Sequence, residues 1–71
     1  GAQKFAERVM AIAGSDAERS VDTAFRLALS RTPSAKERAE FQQLATGRPL
    51  AEALTQLGVV LFNVNEFIYL E

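Results

Sequence analysis

The sequence predicts an all-α domain, a compact bundle of four helices. Three observations predict it. Apolar residues recur at helical spacing in four separate stretches; a glycine or a proline falls between each stretch and the next; and Ser-x-x-Glu occurs twice where a helix should begin. The expected helices cover about residues 3–13, 16–30, 35–46 and 49–64, with a short final turn to 70, and the chain reads as one domain, the C-terminal piece of a longer protein.

In the first stretch Phe5, Val9, Ile12 and Ala13 lie at i, i+4, i+7 and i+8, with Lys4, Glu7 and Arg8 elsewhere, so one face of a helix is apolar. Gly14 follows as a residue able to take the left-handed conformation at a helix end. Ser15-Asp16-Ala17-Glu18 then has the spacing of a capping box, in which a hydroxyl and a carboxylate satisfy two free N–H groups at a new helix start.

The second stretch turns Val21, Ala24, Phe25 and Ala28 inward, with Leu27 and Leu29 widening the stripe. Asp22 stands four residues before Arg26, a spacing that gives modest support on a helix surface. Pro33 disfavours the helical region for Thr32, so this helix should end near Ser30 or Arg31. Ser34-Ala35-Lys36-Glu37 is the second capping-box spacing. The third helix carries Phe41, Leu44 and Ala45 inward and is otherwise polar; Gly47 ends it, and Pro49 suits the first position of the next, where a missing N–H costs nothing.

The last stretch is different. Leu50, Leu54, Leu57, Leu61, Val64 and Ile68 alternate four- and three-residue steps, the seam of a long packed helix, while Val59, Val60, Phe62, Phe67 and Tyr69 add apolar surface off that seam. A helix apolar nearly all round belongs at the centre of a fold. The competing reading of 58–62 as a strand rests on its β-branched content, but helical spacing continues through it and no partner strand is visible.

Composition narrows the function classes. The 71 residues include no cysteine and no histidine, which removes disulfides, thiolate chemistry, the commonest general base and the commonest transition-metal ligand. A net charge of −1 gives no electrostatic case for nucleic acid or an acidic membrane surface. The run from Leu57 to Phe62 is far short of the ~20 apolar residues that a membrane span needs. Helix two, the turn at 31–34 and helix three have the outline of a helix-turn-helix, but Lys36 and Arg38 are offset by Glu37 and Glu40, unlike a DNA-reading helix.

Four residues stand out as binding candidates: Arg31, Asn63, Asn65 and Glu66. Arg31 falls at a helix C-terminus, where a cation complements the dipole and can pair with Glu37 across the turn, or can face a ligand. Asn63, Asn65 and Glu66 interrupt the most apolar part of the chain, where each must reach water or find a partner. One reading makes them a helix end, with Asn65 capping a final turn; the other makes them a polar spot for a small ligand, a carbohydrate, a hard cation or a partner's backbone. No second carboxylate at fixed spacing joins Glu66, so no catalytic pair is expected, and no metal site or cofactor.

Phe25-Arg26-Leu27-Ala28-Leu29-Ser30-Arg31-Thr32-Pro33-Ser34-Ala35-Lys36-Glu37 and, farther on, Leu61-Phe62-Asn63-Val64-Asn65-Glu66-Phe67-Ile68-Tyr69 resemble the C-terminal end of the DUF1553 family, planctomycete PSD1-type proteins of uncharacterised function. In that family an aromatic and small-apolar helix runs into an Arg-x-Pro-Ser/Thr-x-x-Glu turn, and the chain closes on Leu-Leu-Asn-x-Asn-Glu-Phe-Ile/Leu-Tyr. The resemblance spans residues 5 to 70. Phe62 replaces the second leucine, and the tryptophan often found upstream of the closing signature is absent, leaving the segment from Ala53 to Leu57 aliphatic.

The resemblance implies a long parent chain with a DUF1549 region and often a cytochrome-c-like segment carrying its own haem motif, and an extracytoplasmic location. It supplies no catalytic residues. The fourth helix carries more apolar surface than three short amphipathic neighbours need, with Val59, Val60, Phe62 and Tyr69 the excess, and the expectation is a non-enzymatic structural or interaction module, docking on the rest of its parent protein or on a protein partner. The other two readings are a ligand-binding element on the four candidates and an accessory part of an enzyme whose catalytic residues lie upstream.

Overall fold

The computed structural model describes the backbone of residues 1–70 and the side chains of residues 1–64. Four helices follow one another, α1 (Ala2–Ala13), α2 (Ala17–Leu29), α3 (Ala35–Ala45) and α4 (Leu50–Leu70), with no strand among the described residues. The expected all-α bundle is therefore observed, and 58–62 is helical. With a radius of gyration of 11.2 Å the chain is as compact as a folded domain of this length should be.

The boundaries show which local cue prevailed at each junction. Gly14 and Gly47 both adopt positive φ, 72° and 74°, and Gly14, with ψ −146°, lies outside the expected left-handed helical well in a region that only glycine readily enters. At the start of α2 the expected Ser15–Glu18 box does not form. Asp16 is the N-cap, its Oδ1 accepting from the backbone N–H of Glu18 at 2.9 Å and of Arg19 at 3.2 Å, and a charged carboxylate is the stronger acceptor there. The Ser34–Glu37 box does form, in both directions. Pro49 lies one position earlier than expected, just before α4, its carbonyl accepting from Ala53 N–H at 3.1 Å.

α4 is the organising element. It packs most extensively against α1, then α2, and touches α3 least. Ala53, Leu54, Leu57 and Leu61 form its buried seam and meet Ala6 and Val9 of α1, Val21, Ala24 and Phe25 of α2, and Phe41 of α3 in one core. Where α1 crosses α4 the contact is close: a Cβ built on Gly58 would lie 3.0 Å from Phe5 Cδ2 and 3.3 Å from Ala2 Cβ. Beside that crossing Phe5 and Phe62 meet edge to face, 5.2 Å between ring centroids.

Four expectations fail here. Ile12, assigned to the core, is 53% exposed, because the buried face of α1 runs through Ala6, Val9 and Ala13 and Ile12 lies off it. Leu27, read as widening the inward stripe of α2, is also exposed. α4 runs unbroken to Leu70 instead of ending near 64 with a separate final turn; Asn63 and Val64 face solvent, where an asparagine costs a helix only a fraction of a kcal/mol, about 0.7 or less. Asp22 lies against Arg38 of α3, with Oδ1 2.6 Å from Nη2, rather than supporting Arg26. The guanidinium N–H bonds do not point at that oxygen, so the contact is an ion pair without a hydrogen bond.

Candidate functional site

The turn between α2 and α3 is built from short-range chemistry. Ser30 closes α2 in the left-handed region, φ 57° and ψ 32°, with its N–H bonded to Arg26 O. That conformation costs a non-glycine residue about 1 kcal/mol or more. It aims the chain so that Pro33 is buried and Ser34 caps α3.

Arg31 is held tightly by this turn. Its fork grips Glu37 with two bonds, Nη1 to Oε1 at 2.8 Å and Nη2 to Oε2 at 2.9 Å, and Nη1 also donates to Thr32 O. The guanidinium carbon sits 5.3 Å from the centre of the Phe25 ring, a cation–π placement. Glu37 Oε1 accepts from Ser34 N–H as well, so one carboxylate serves both the ion pair and the capping box.

The electrostatics follow from that geometry. The Arg31 hydrogen bonds, and then the Ser34 N–H, hold the Glu37 carboxyl down at about 2, against an ordinary value of 4.5. The same bond raises Arg31 above its usual value. Both groups are charged throughout the physiological range, so neither can exchange a proton with a substrate there.

Above the clasp lies an apolar groove of about 370 Å³ between α2, α3 and α4. Phe25, Leu29, Leu44, Leu57, Val60 and Val64 make most of its lining, and Arg31, Glu37 and Glu40 edge it. Val60 is 56% exposed and Val64 42%. A second cleft, about 310 Å³, runs between α2 and α3 along Val21, Arg38, Gln42 and Thr46, but its arginine is already engaged with Asp22.

Of the four candidates, Arg31 and Asn63 have described side chains, and the groove lining includes only the first of these two. Arg31 lines the groove with its fork already spent on Glu37. Asn63 is exposed and is not part of the groove lining. The side chains of Asn65, Glu66 and Tyr69 lie outside the described residues. Among the described residues no group of three or more carboxylates is gathered closely enough to hold a metal ion, and no helix is long and apolar enough to cross a membrane.

Sequence reasoning flagged Val59, Val60, Phe62 and Tyr69 as apolar surface in excess of the bundle's needs. Val59 and Val60 are exposed as that implies, whereas Phe62 is half-buried against Phe5. Val64, expected in the seam, is exposed too. The groove itself was missed because three elements build it, and no single periodicity records the gap they leave.

No family model, curated protein or solved structure matches this chain in comparison.

Proposed function

We propose that this domain is a non-enzymatic structural and interaction module that docks through the α2–α3–α4 groove on the rest of its parent protein, with a separate protein partner as the other form of the same role. The supporting observation is the pair Val60 and Val64. Single exposed aliphatic residues are ordinary on any protein surface. These two are one turn apart on the same helix and continue an apolar groove floored by Leu57 and Leu61, so a covering surface would bury all of them together.

The near-neutral charge and the internally satisfied Arg31–Glu37 clasp leave no strong field for a charged ligand, which favours apolar docking. The similarity of 61–69 to the closing signature of DUF1553 proteins supports a place at the end of a long chain, where a small domain has a larger neighbour to pack on.

The test is Val60→Asp with Val64→Asp, made in the 71-residue domain and in its full-length parent. Exposed substitutions usually change stability by no more than about 0.5 kcal/mol each, so the isolated domain should keep its helical circular dichroism and nearly its melting temperature. In the parent, the double variant should raise amide hydrogen exchange across α3 and α4 relative to wild type. Two results overturn the proposal: equal exchange in wild-type and variant parents, or equal exchange in the wild-type domain alone and within the parent.

A further inference from the structure

We draw no further inference here: the strongest candidate, the apolar groove between α2, α3 and α4, belongs to the docking surface already proposed, and nothing in the structure shows what covers it.

Discussion

The α1–α4 crossing and the α3 arm are held by opposite means. At the crossing, the two helices approach until a Cβ on Gly58 would press on the Phe5 ring at 3.0 Å and on Ala2 at 3.3 Å, and in the same core Ala6, Val9 and Leu54 are excluded from water. Helix α3 buries only Phe41 completely. It is fixed at its ends instead: the Ser34–Glu37 box and the Arg31 fork at the start, Arg48 Nη1 donating to Leu44 O at the finish, and the Asp22–Arg38 ion pair between. The first region depends on shape and the second on local polar chemistry, so they should respond to different perturbations.

The largest effect should come from Leu54→Ala. Truncating a fully buried leucine costs about 2–5 kcal/mol, and a core in a domain of this size rarely supplies more than about 3–5 kcal/mol. Urea titration followed by circular dichroism should find this variant largely unfolded even without denaturant. A midpoint close to wild type would mean that the crossing is not the foundation of the fold.

Gly58 sharpens the same point. Gly58→Leu should destabilise by about 1–3 kcal/mol through overpacking against Phe5 and Ala2. Gly58→Ala should lose much less, because up to about 1 kcal/mol of helix propensity offsets a contact made chiefly with the movable edge of a ring. If the leucine variant melts with the alanine variant, the close approach does not hold in solution.

On the α3 side Ser34→Ala should cost about 1 kcal/mol, the ordinary value of an N-cap. Amide exchange should show the loss in the first turn of α3 before anywhere else; uniform loss across the chain would argue against a locally held arm.

Acid provides a gentler probe. The Glu37 carboxyl is depressed in the folded state, so its stabilisation is complete above the unfolded value near 4.5 and is lost as pH falls from there towards about 2. The side chains of Arg31 and Glu37 are 48% and 31% exposed, and solvent screening limits the effect to about 1 kcal/mol. Glu37→Gln should lower stability at pH 7 and flatten the dependence between pH 4.5 and 2. An unchanged slope would place the acid sensitivity elsewhere.

Ser20→Ala is the smallest expected effect and has the opposite sign. The Ser20 hydroxyl is buried with no hydrogen-bond partner. Removing it should stabilise by up to about 1 kcal/mol, seen as a higher melting temperature, whereas a loss would show that the hydroxyl is satisfied in solution.

Local cues in the sequence were readable wherever a single residue type had one available task. Gly14, Gly47, Pro33 and the Ser34–Glu37 box each marked a boundary correctly, and the Arg31–Glu37 pairing followed from their separation across a turn. Where two residues could perform one task, local reasoning chose poorly, as between Ser15 and Asp16. Tertiary packing overrode it altogether for Ile12 and Ala6, since hydrophobicity ranks isoleucine first, whereas the face of α1 that meets the core runs through Ala6, Val9 and Ala13. Of the candidate site, Arg31 could be placed from sequence, but its two-bonded grip on Glu37 and the groove beside it needed three helices in position.

Gly58 also has a consequence for how the helices find one another. A notch that receives the edge of the Phe5 ring and Ala2 acts as an alignment key: sliding α1 along α4 by one turn would bring a different side chain against the bare backbone and leave the Phe5 ring without Phe62. The position that weakens α4 as an isolated helix is the one that allows a single height and rotation for α1, exchanging some helical propensity for a unique assembly.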